Sequence, residues 1–202
     1  MKIGIMQGRL SPIYNGKIQK FPSNHWQSEF FIAKALGINL IEWTIDIENF
    51  FQNPILTNKG REQVKKLQKI TGINIASITT DCFMQSPIWG NDSKKTINKL
   101  KKLISACGSL KIKYIIFPLV DNSSLKNKKT ELKLIKILDN FNKILEKNSV
   151  KILFESDYPP KELKKFISSF KSKNFGINYD SGNSASLNYN LEEEFTHFGK
   201  FI

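Results

Sequence analysis

Short apolar runs alternate along the chain with longer stretches in which apolar residues return every three or four positions. The runs predict buried strands and the longer stretches predict amphipathic helices. The pattern opens with a strand over Lys2–Met6 (KIGIM). A helix over Gln27–Leu36 follows, with Phe30, Phe31, Ala33, Ala35 and Leu36 on or near its buried side and Gly37 as its cap. Next come a strand over Ile38–Trp43, a helix over Thr57–Thr71 and a strand over Ile73–Thr79. A helix over Ser93–Cys107, capped by Gly108, leads to a strand over Ile112–Pro118, and one long helix spans Lys129–Lys147. The fifth strand ends at Glu155, a helix runs from Pro160 to about Lys173, and the sixth strand ends at Asp180. A last helix covers Leu191–Phe198, and Lys200–Ile202 reads as the beginning of a seventh strand.

A glycine-isoleucine-asparagine junction between helix and strand occurs three times, at Gly37-Ile38-Asn39, Gly72-Ile73-Asn74 and Gly176-Ile177-Asn178. Successive strand–helix units with right-handed crossovers predict the α/β class. The expected fold is an incomplete (β/α) barrel of about six units plus the start of a seventh strand, one domain over residues 1–202. A doubly wound open sheet is the alternative. It ordinarily carries a glycine-rich phosphate loop after its first strand, and MQGRLSP is not one.

A strand–helix–strand crossover brings the carboxyl ends of parallel strands to one rim. Glu155 and Asp180 end neighbouring strands, so they are expected side by side there. Two such carboxylates can hold a divalent metal or exchange protons with a substrate; the alternative is that each only starts a turn or caps the next helix. Glu42 and Asp81 also fall at strand ends. Gln7 and Arg9 follow the first strand, where they project polar groups at the sheet mouth, and Arg9 could clamp a phosphate or carboxylate. The loop Ser11–Asn24 is long enough for a lid, and the aromatic loop Cys82–Asp92 is either a substrate wall or packing.

Composition narrows the class. The net charge of +13 invites a nucleic-acid reading, but nearly all of it is lysine, with arginine only at Arg9 and Arg61. The lysines lie between apolar residues at helical spacing, which reads as a solvated outer face. No apolar run is long enough to span a membrane. Two cysteines with no metal-binding spacing, and no signal peptide, give a cytoplasmic expectation.

The chain resembles the xylose-isomerase-like TIM-barrel superfamily, within it the sugar-phosphate isomerase/epimerase group. The resemblance rests on MKIGIMQGRLSP, LGINLIEW, ITTDCFM, IIFPLVDNS, ILFESDYPP and GINYDSGNSASLNYN. It implies one divalent metal, manganese, magnesium, cobalt or zinc, with Glu155 and Asp180 as ligands. It also implies that Glu155 moves the proton beside the carbonyl of a sugar or sugar phosphate. Gln7, Arg9, Glu42, Asp81 and Asn183 would line the substrate. The chain departs from the group where a seventh-strand histidine and an eighth-strand glutamate are expected. His197 does not substitute, because it lies within the last predicted helix. The metal site is therefore incomplete in this chain, and open sheet edges invite an oligomer or a completing partner chain. A non-catalytic or split-enzyme subunit is the alternative function. An apurinic-endonuclease-like role ranks lower, because it needs several histidines and this chain has two.

Overall fold

The computed structural model describes residues 2–13 and 20–202. Part of the expected lid, residues 14–19, lies outside the described residues. The strands are β1 (Gly4–Met6), β2 (Leu40–Thr44), β3 (Asn74–Thr79), β4 (Tyr114–Leu119), β5 (Lys151–Ser156) and β6 (Phe175–Ile177). They form one parallel sheet in sequence order, β1 to β6. The helices are α1 (Trp26–Ala35), α2 (Asn58–Thr71), α3 (Asp81–Gln85), α4 (Ser93–Leu110), α5 (Lys128–Asp139), α6 (Asn142–Asn148), α7 (Pro160–Ser168), α8 (Ser181–Ser186) and α9 (Leu191–Phe198). This is the expected incomplete barrel. Among the described residues β1 pairs only with β2, and β6 only with β5. No described helix is long and apolar enough to cross a membrane.

Strand alternation sorts the side chains. Ile41, Trp43, Phe117 and Phe154 are fully buried in the layer between sheet and helices. Trp43 meets the rings of Phe21, Trp26 and Phe30. Phe154 meets Phe117, Phe166, Phe170 and Phe175. The alternate positions Glu42, Ser77 and Glu155 therefore face the other side, toward the concave interior.

Several expectations need correction. The last residues do not begin a strand; Gly199–Phe201 form a 3-10 turn. The segment from Cys82 begins as helix α3 rather than as a loop. Helix α4 passes through Gly108 and ends at Lys111, which takes the left-handed cap conformation at φ 58°. Gly108 serves packing instead, since a Cβ there would lie 2.3 Å from the Asn148 side-chain oxygen. The long helix divides into α5 and α6, where the Asn140 side chain bonds back to the Lys136 carbonyl and Phe141 turns into the core. The helix after Pro160 stops at Ser168. Pro118 lies inside β4 rather than ending it. The β3 pairing has already stopped at Ile116, so the missing N–H costs no ladder bond on that side. On α1, Phe31, Ala35 and Leu36 face solvent, while Glu29 takes a buried place.

The entry to α2 shows how tightly the outer layer is fixed. The Thr57 hydroxyl accepts from the Gly60 N–H as an N-cap. A Cβ at Gly60 would come within 2.2 Å of the Pro54 carbonyl oxygen. Gly60→Ala is expected to destabilise the fold by about 1–3 kcal/mol through this overlap. Urea unfolding checks it; an unchanged midpoint would show that the turn at Pro54 yields freely.

Candidate active site at the carboxyl ends of the strands

The register of β5 and β6 ends at Phe154 opposite Ile177, and the Asn178 N–H continues it to the Phe154 carbonyl at 2.9 Å. Glu155 and Asn178 thus leave adjacent strands at the same level. The Asn178 side-chain amide donates to Glu155 Oε2 at 3.0 Å. Two residues on, Asp180 caps α8, its Oδ1 accepting from the N–H groups of Gly182 (2.7 Å) and Asn183 (2.9 Å). The Asn183 side-chain amide then donates to Glu155 Oε1 at 3.0 Å. Asn183 therefore touches both carboxylates, one through its backbone and one through its side chain. Glu155, Asp180 and Asn183 line one small pocket with Tyr158, Ser184, Tyr189 and Glu194.

Burial pushes the Glu155 carboxyl up to about 7, and the charges of Asp180 and Glu42 add to this. The hydrogen bonds from Asn178 and Asn183 pull the other way and do not prevail. Glu42 lies across the interior, where Ser77 donates to its Oε2 at 2.5 Å. Burial raises the Glu42 carboxyl too, against the Ser77 bond. The loop after Glu155 is braced on three sides. Asp157 accepts from the Ser124 hydroxyl, its carbonyl accepts from Tyr189, and the Tyr158 hydroxyl donates to Glu131.

The remaining expected site residues are placed differently. Gln7 does not project at the mouth. It is 1% exposed and ties β1 to β2, its side-chain oxygen accepting from the Thr44 N–H and its carbonyl from the Thr44 hydroxyl. Its Nε2 has no hydrogen-bond partner among the described residues. Arg9 is exposed beside that strand end. Asp81 is buried as the first residue of α3, with the Thr79 hydroxyl donating to it. Cys82 is buried, and burial pushes its thiol up, away from reactivity. His197 lies on α9, 3.7 Å from Glu193.

Three residues escaped the sequence reading. Asn178 could have been found from its place two residues before Asp180, the same strand face by alternation. Glu29, on the apolar side of α1, accepts from the N–H groups of Gly8 and Leu10 and from the Ser11 hydroxyl, fixing the turn that carries Arg9. Its only signal was an acid beside Phe30. Glu194 carried no signal, because it stands in a run of three acids at a helix start.

For a hard divalent cation the donor chemistry fits and the number falls short. Glu155 and Asp180 offer carboxylate oxygens, the donor type such a cation takes, and a cation would relieve their mutual repulsion. Among the described residues, however, no three His, Cys, Asp or Glu side chains gather as a metal group.

A parallel sheet of βα units with acids at the carboxyl ends of its strands is the architecture of (β/α) barrels, which place their chemistry at that rim. The chain belongs to the xylose isomerase-like TIM barrel family, whose model matches residues 30–200. No curated protein matches it by sequence. Among solved structures it is similar to the IolI protein with a bound zinc atom, at TM-score 0.72 and 17% identity, covering 100% of this chain and 70% of that one. It is also similar to a xylose isomerase-like TIM barrel protein from Mycobacterium smegmatis in complex with magnesium, at TM-score 0.75 and 14% identity, covering 100% and 72%. A third is 3-keto-D-glucoside 4-epimerase from E. coli, at TM-score 0.71 and 14% identity, covering 100% and 76%.

Proposed function

We propose that this chain is a divalent-metal-dependent isomerase or epimerase of a sugar or sugar phosphate, working by proton transfer beside a carbonyl. The observation that carries this reading is Asn183 joined to both Glu155 and Asp180, which makes the two carboxylates one unit. Glu155 and Asp180 would hold the cation. Bound there, it would polarise the substrate carbonyl and offset the negative charge that develops on its oxygen.

Glu155 is the proton carrier. Burial raises this carboxyl's hold on a proton in the metal-free chain, which suits it to accept one from carbon and return it. Each of its oxygens receives one amide N–H, and a carboxylate oxygen has two lone pairs, so one on each remains for the proton. Glu42 with Ser77, on the facing strands, and Arg9 at the rim are the groups proposed to meet substrate hydroxyls and any phosphate.

The test is proton exchange in D2O. With added manganese, the protein is expected to wash deuterium into the carbon beside the carbonyl of a ketose or its phosphate. Absence of exchange across a panel of both classes would overturn the reading.

Among the described residues the outer sides of β1 and β6 pair with no other strand, which supports a second reading, a subunit that completes its sheet with a partner. Size-exclusion chromatography separates the two. The second reading predicts assembly beyond the 23.2 kDa chain and no exchange by the isolated monomer.

A further inference from the structure

We infer that Glu194 is a positioning residue, holding α8 so that Asp180 and Asn183 meet Glu155. The inference rests on the reading of the pair as one site.

Glu194 is 3% exposed, on the first turn of α9. Its neighbour Glu193 makes surface pairs with Lys161 and His197. Among the described residues Glu194 has no ion-pair partner. It accepts two hydroxyl hydrogens, from Ser184 at 2.5 Å and from Tyr179 at 3.0 Å. A buried carboxyl needs hydrogen-bond partners, and these two hydroxyls supply them. What those bonds secure is specific. Tyr179 precedes Asp180, and Ser184 follows Asn183, so Glu194 holds the segment on both sides of Asp180 and Asn183. The same face of α9 packs Phe195 and Phe198 against the Tyr179 ring, at 5.3 and 6.4 Å between centroids. Glu194 also lines the pocket that holds Glu155 and Asp180. A helix of six residues has little stability of its own, so its placement depends on such outside contacts.

Both hydroxyls reach the same oxygen, Oε2. A glutamine carbonyl can accept both, so the position needs the acceptor and not the charge. The experiment compares Glu194→Leu and Glu194→Gln in the metal-free chain by hydrogen exchange, reading the amides of Gly182 and Asn183 that bond to Asp180. Manganese affinity is measured alongside by electron paramagnetic resonance. Glu194→Leu is expected to speed exchange at those two amides at least about tenfold and to weaken manganese about 10–100-fold, as loss of a ligand's supporting partner does. Glu194→Gln is expected to keep both near wild type. Unchanged exchange in Glu194→Leu, or a glutamine variant as impaired as the leucine one, would overturn the inference. If Glu194→Leu does not fold, Ser184→Ala decides: faster exchange at the two amides supports it, and unchanged exchange overturns it. Absence of manganese binding in the wild type would count against the metal reading alone, because the exchange readout needs no metal.

Discussion

Glu155→Gln is expected to abolish proton exchange and, at the same time, to make the metal-free protein more stable. The two effects have one cause. The Glu155 carboxyl is pushed from 4.5 up to about 7, first by burial and then by Asp180. The folded protein therefore holds this proton more tightly than the unfolded chain does. Below the ordinary carboxylate range both states are protonated and nothing is lost. As pH rises from about 4.5 through about 7, the unfolded chain ionises first, and stability falls. Above that window the full cost remains, at most about 3 kcal/mol. Glutamine carries no charge and avoids it. The gain is smaller than the maximum, because one asparagine amide must turn its oxygen to meet the new NH2 group. A rise of about 2–6 °C in melting temperature at neutral pH follows for a chain of this size. It should vanish near pH 4. A variant less stable than wild type at neutral pH would show that the pair is not under repulsion.

Phe154→Ala should produce the largest loss of stability. Phe154 is fully buried and touches four other rings, those of Phe117, Phe166, Phe170 and Phe175. These come from β4, α7, the segment after α7, and β6, so the side chain joins β5 to everything around it. Removing such a ring costs about 3–5 kcal/mol, a large share of the 5–15 kcal/mol typical of a folded domain. Since Glu155 is the next residue, the site should loosen with the core. Phe154→Leu keeps much of the volume and should fall between the two in urea unfolding. An alanine variant within about 1 kcal/mol of wild type would mean that the cluster does not hold β5.

What the sequence made legible was the alternation of strands and helices and the strand-end acids. Buried runs such as ILF before Glu155 state both the strand and the face of the next side chain, because alternation leaves no other choice. The helix signals were weaker where a residue had a tertiary duty. Gly108 looked like a cap and is a contact point for Asn148. Glu29 drew no expectation and is the acceptor for the turn after β1. Gln7 looked like a mouth residue and is a tie between strands. In each case the deciding partners are at least 18 residues away in sequence, beyond the reach of local pattern. Asp180 caps α8 through Oδ1, and its charge also bears on the Glu155 carboxyl.

The most direct test is a manganese titration of the purified chain, followed by electron paramagnetic resonance. One binding site per chain is predicted, lost in Glu155→Ala and equally in Asp180→Ala, and kept in Asp81→Ala, whose side chain accepts from the Thr79 hydroxyl. Binding that survives either of the first two substitutions, or a wild type that binds none, would contradict the shared site.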